Sequence, residues 1–128
     1  MAMQRILLEI CCGSLEDALE AEGGGADRVE LCSALFLGGL TPSLGTIMEA
    51  KARLKIPIVV MIRPRGGGFC YTKSEMAVME RDTVLAAEQG AEGMVFGILN
   101  ADGGIDEERC TRIRKLIGDR QQDRKSVV

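Results

Sequence analysis

Residues 8–11 read Leu-Glu-Ile-Cys and residues 29–32 read Val-Glu-Leu-Cys, so a Glu-x-Cys triplet occurs twice, as Glu9-Ile10-Cys11 and Glu30-Leu31-Cys32. Each copy closes a short apolar run. Two thiolates with a nearby thioether suit a soft ion, Cu(I) above all. Two carboxylates beside an arginine suit something else, namely recognition of a small polar substrate or proton transfer on it. The chain has no histidine, which excludes Ser-His and Cys-His catalysis, histidine–zinc sites and histidine general bases within it. Chemistry here runs on Cys, Glu, Asp, Arg, Lys or Met. The 5 cysteines form no C-x-x-C pair and have no scaffold spacing. They read as free thiols in a reducing compartment.

The elements that must position these groups follow a β-then-α rhythm repeated four times. The first strand is expected over 5–11, followed by a helix capped by Ser14 and carrying Leu15, Ala18 and Leu19 on one face. "DRVELC" (27–32) is the second strand, and a helix capped by Ser43 then leads through Pro57 to the Val/Ile-rich third strand, 58–63. The Gly-rich loop "RPRGGGFCYT" precedes a helix expected over 75–89 and opened by Ser74. "GAEGMVF" delivers the fourth strand, and "IDEERCTRIRKLIG" the fourth helix, with Cys110, Ile113, Leu116 and Ile117 facing inward.

Repeated βα units imply parallel strands, right-handed crossovers and helices covering the sheet. Four such units fit an open doubly wound sheet or half of an eight-unit barrel. A barrel takes about 250 residues, and the chain has 128. The polar tail 119–128 holds no apolar run for a fifth strand. It is expected to be disordered, leaving strands one and four as open edges.

Strand parity puts Leu7, Glu9 and Cys11 on one face, Glu30 with Cys32, and Met61 with Arg63 and Arg65. In a barrel these point to the interior near the C-terminal mouth, where sites of this architecture are built. Cys11 and Cys32 are then candidate metal ligands. Glu9 and Glu30 are candidate acid/base groups, with Arg63 their expected partner, either in a structural ion pair or as the clamp of a substrate site. Arg65 with Gly66 to Gly68 offers an anion cradle, although no Gly-Lys-Ser/Thr follows. Cys12 and Cys110 are expected in the core, Cys70 in an exposed loop, and Met61 as barrel filling.

A net charge of −3, a pI near 5.1 and 3% aromatic residues argue against nucleic acid and anionic membranes as partners. The N-terminal stretch is too short and too polar for a signal peptide or a membrane span, so a cytoplasmic location is expected.

Taken together, "GGADRVELCSAL", "GGLTPS", "VMIRPRGG" and "GAEGMVFGILNADGGID" closely resemble the CutC copper-homeostasis family, over roughly residues 5–118. The resemblance implies a (β/α)8 TIM barrel, cytosolic, often homo-oligomeric and concerned with copper tolerance or trafficking. It also implies Cu(I) bound by two cysteines, which fall here on Cys11 and Cys32. Some family members look like barrel enzymes of unknown substrate. That supplies an alternative reading, an enzyme acting on a small anionic or carbonyl substrate through Glu9, Glu30 and Arg63. The family's fifth-strand Phe-His-Arg-Ala-Phe-Asp motif is missing, and Cys12 and Gly68 depart from its usual residues. The expectation is thus the first four βα units over 1–118 with a divergent tail, as in a shortened isoform or a fragment, which would be inactive if the missing half is required.

Overall fold

Each crossover helix starts on a side chain that the sequence supplies for it. In the computed structural model, which describes residues 4–118 and 126–127, Ser14 Oγ accepts from Asp17 N at 3.0 Å and starts α1 (Leu15–Gly23). Ser43 Oγ accepts from Thr46 N at 3.1 Å and starts α2 (Leu44–Arg53). The third helix, α3 (Lys73–Glu88), opens on Thr72 rather than Ser74. Thr72 Oγ1 accepts from Glu75 N at 3.1 Å while the Glu75 carboxylate accepts from Thr72 N at 2.8 Å. This reciprocal pair satisfies two otherwise orphaned donors, which Ser74, lacking an acid three residues on, cannot do. Asp106 caps α4 (Glu107–Ile117) by accepting from Arg109 N at 3.0 Å.

The strands are β1 (Glu9–Cys12), β2 (Arg28–Leu31), β3 (Ile58–Met61), β4 (Gly93–Phe96) and a two-residue β5 (Ser126–Val127), all parallel, in the order β1-β2-β3-β4-β5. Spatial order equals chain order. A doubly wound sheet reverses its order at a switch point; this sheet has none and follows the winding of a (β/α) barrel. Of the two architectures that four βα units allow, the topology selects the barrel type.

Three expectations need correction. β1 begins at Glu9, not residue 5, because its partner strand starts only at Arg28, and Ile6 and Leu7 are 89% and 61% exposed. Leu116 is 40% exposed, because one residue turns the helix about 100° and the stripe centred on the buried Ile113 and Ile117 excludes it. A fifth strand exists although its segment is polar: Ser126 and Val127 pair with Val95 and Phe96 through the main chain, whose unpaired edge groups ask for no apolar partner. The rest of the tail lies outside the described residues, and with it the expectation of disorder.

The outer face of the sheet carries Val29, Leu31, Ile58, Val60, Ile62, Met94 and Phe96, packed under Ala18, Ile47, Ala50, Met79, Ile113 and Ile117 of the helices. The inner face holds a second, smaller cluster of Cys32, Val59, Met61 and Val95. β3 and β4 are buried on both faces and accordingly read as continuous apolar runs. Among the described residues no helix is long and apolar enough to cross a membrane.

Candidate metal centre

The thiol pair is built by register and parity. Cys11 of β1 lies directly opposite Glu30 of β2, and Cys32, two residues beyond Glu30, returns to the same face. The ladder continues just past β2, where Cys32 N donates to Cys12 O at 2.8 Å. The result places Cys11 Sγ 3.8 Å from Cys32 Sγ. Glu30 Oε1 accepts from both thiols, at 3.7 Å from Cys11 Sγ and 3.4 Å from Cys32 Sγ. Cys32 is 1% exposed, whereas Cys11 opens to solvent. The site therefore has one anchored sulfur and one accessible sulfur.

Burial pushes the Cys32 thiol far above the ordinary range, and the neighbouring Cys11 and the Glu30 carboxylate push it further. Cys11 is raised as well, chiefly by burial, which outweighs the lowering from its contact with Cys32, and then by Glu30. Both sulfurs thus carry protons at neutral pH, and a metal would have to displace them. The three ligand atoms lie within 4.8 Å of one another. Two metal–thiolate bonds of about 2.3 Å, the value for zinc, reach across as much as about 4.6 Å, so one ion can touch both sulfurs at their present separation.

The loop after β2 folds back over this end of the sheet. Ser33 N donates to Leu40 O at 2.9 Å and Leu40 N to Ser33 O at 2.7 Å, closing a loop that holds a 3-10 turn, Leu35–Leu37. Gly38 and Gly39 both adopt positive φ, +92° and +96°. A Cβ on Gly38 would meet Arg63 Nη1 at 2.9 Å, so only glycine lets the chain pass the guanidinium this closely. Gly39 packs against Cys32, with a Cβ position 3.5 Å from its sulfur.

Arg63 is where the structure departs most from expectation. It reaches neither Glu9 nor Glu30. Its Nη1 donates to Leu37 O at 2.8 Å and Gly39 O at 3.2 Å, its Nη2 to Gly67 O at 2.9 Å, and the guanidinium lies over Phe69 at 5.0 Å. Glu9 is instead paired with Arg28, Nε to Oε1 at 2.5 Å, because the two are register partners at the N-terminal end of the strands. Parity does place Glu9 with Cys11, but two residues lower. The expected set of Glu9, Glu30 and Arg63 is consequently dispersed over three environments. Arg28 was the missed partner, and its spacing from Glu30 and Cys32 in "DRVELC" was the available signal.

Arg65 grips Glu75, with Nε to Oε2 at 2.7 Å and Nη2 to Oε1 at 3.3 Å, and also Cys70 O at 3.0 Å. That hydrogen bonding holds the Glu75 carboxyl below its ordinary range and ties the Gly-rich loop to α3. Cys12 is buried in the helix-side core, with its thiol pushed up to about 11, mainly by burial and then by Asp17. Cys110 packs against the same core, Cys70 is exposed, and Met61 fills the inner layer beside Cys32.

The model of the CutC family matches residues 6–119. The chain belongs to the CutC family. It is 52% identical over 115 residues to the human copper homeostasis protein cutC homolog, an alignment covering 90% of this chain and 42% of the relative. To a CutC family protein of Treponema denticola it is 48% identical over 120 residues, covering 94% of this chain and 49% of the relative. A solved CutC structure from Streptococcus agalactiae superposes with a TM-score of 0.82 at 38% identity, covering 95% of this chain and 58% of that one. The chain thus spans less than half the length of these curated CutC relatives, and its four βα units are a partial TIM barrel.

Proposed function

We propose that this CutC chain serves copper homeostasis in the cytoplasm by holding Cu(I) between Cys11 and Cys32. The observation that carries the reading is the pair of sulfurs at 3.8 Å on neighbouring strands. Thiolates are the donors that select a soft monovalent ion, and the names of the relatives supply the metal. Cys32 is the fixed ligand, packed against Gly39 and Met61. Cys11 is the solvent-facing ligand through which an ion would be handed on or off. Glu30 holds both protonated thiols toward one point before the metal arrives. Its hard oxygen is a poor match for Cu(I) itself, so its part is to orient the sulfurs.

Anaerobic titration of Cu(I) against a competing chromophoric chelator tests this. Wild type should take up one tightly held equivalent, and Cys11→Ser/Cys32→Ser should weaken uptake by at least about a hundredfold, as the loss of both soft donors requires. A double variant that retained the wild-type affinity and stoichiometry would remove the basis for the reading.

A further inference from the structure

Across the Gly38–Gly39 turn from the thiols, the C-terminal ends of β3 and β4 enclose a cavity of about 30 Å³ walled by Met61, Phe69 and Phe96. Two polar side chains line it, and each keeps one unused hydrogen-bonding atom there. Arg63 is only 9% exposed; its Nη atoms are committed to carbonyls, but its buried Nε–H has no partner. Tyr71 is 4% exposed; its buried hydroxyl makes no hydrogen bond of good geometry, although the Arg63 guanidinium is near enough to act on it. Among the described residues no carboxylate forms an ion pair with Arg63. Carbonyls occupy its donors without cancelling its charge.

We infer that this cavity is a binding site for the carboxylate group of a small organic acid, received by Arg63 Nε and the Tyr71 hydroxyl. Three properties select that chemistry. A buried cation without a counter-charge calls for an anion rather than a neutral acceptor. A guanidinium edge and a phenol offer two donors, which suits the paired oxygens of a planar carboxylate. The volume exceeds the roughly 10–15 Å³ that one ordered water needs, and besides Arg63 and Tyr71 the lining is Met61, Ile62, Phe69, Phe96 and two glycines, Gly38 and Gly97, with no third polar side chain for a tetrahedral phosphate. Burial raises Tyr71 above its ordinary range, outweighing the lowering by the Arg63 and Arg65 guanidiniums, so the phenol keeps the proton it must donate. The site is separate from the thiol pair and does not depend on the copper reading.

Calorimetric titration of the chain with sodium formate, sodium acetate and inorganic phosphate, at ionic strength held constant with chloride, tests the assignment. Wild type should bind formate or acetate saturably at one site, with phosphate failing to compete. Tyr71→Phe should weaken that binding about tenfold, the effect of one hydrogen bond to a charged group. Its melting temperature should fall little, because the deleted hydroxyl makes no hydrogen bond of good geometry within the protein. Cys11→Ser/Cys32→Ser should bind the carboxylate as wild type does, which separates this inference from the metal site. Absence of saturable binding to wild type, undiminished binding to Tyr71→Phe, or a preference for phosphate would each overturn it.

Discussion

Two corners of the same sheet end carry opposite chemistry and are assembled in opposite ways. At the β1–β2 corner, Cys11, Glu30 and Cys32 come from two adjacent strands, and no ion pair among the described residues involves Glu30. At the β3 corner, Arg63 is enclosed by main chain from two loops, Leu37 and Gly39 on one side and Gly67 on the other. The first corner is set mainly by the register of two neighbouring strands. The second requires one loop that returns from 24 to 26 residues away along the chain and another only 4 residues on. The thiol pair sits where the scaffold is simplest, and the charged group expected at a substrate site is also a structural clamp.

The strongest way to break this comparison is Arg63→Met. It leaves the Leu37, Gly39 and Gly67 carbonyls without their charged donor, and should lower unfolding stability by at least about 3 kcal/mol, since each bond to a charged group contributes about 1.5–3 kcal/mol. Urea denaturation measures it. A variant as stable as wild type would show that the guanidinium is not a clamp. Gly38→Ala sharpens the same point with a smaller effect. Its φ of +92° and the 2.9 Å approach to Arg63 should cost roughly 1–3 kcal/mol, and should disturb carboxylate binding more than metal uptake. An unchanged midpoint would mean that the turn relaxes freely.

The thiol corner is probed by pH. Burial raises the folded-state values of Cys11, Cys12 and Cys32 above the ordinary 9.0. The folded state therefore holds these protons more firmly than the unfolded chain. The stability they contribute is complete below pH 9.0 and lost as pH rises beyond it, for Cys12 between 9.0 and about 11. Urea midpoints at rising pH should fall in that window, and less steeply in Cys11→Ser/Cys32→Ser. Cu(I) affinity should move the other way and strengthen with pH, since binding displaces thiol protons. Parallel trends in stability and affinity would contradict the assignment of buried protonated thiols.

Much of this was legible in the chain itself. Period-two alternation placed Cys11, Glu30 and Cys32 on one face, and the βα rhythm named every crossover helix. Sequence spacing points to Ser74 as the cap of α3, although Thr72-x-x-Glu75 is the stronger capping pattern. Charge and parity pair Glu9 with Arg63, whereas strand register pairs it with Arg28. Parity says which face a side chain takes, not how high along the strand it stands.

The sequence by itself determined the four βα units, their parallel strands and the face on which the two Glu-x-Cys triplets lie, because backbone periodicity and capping are local. Only the tertiary structure decided that one triplet's carboxylate joins the thiols while the other's joins an arginine. Only it showed Arg63 clasping loops with one N–H left over beside Tyr71. Those outcomes rest on strand register and loop return, and each is set by through-space packing between segments far apart in the chain.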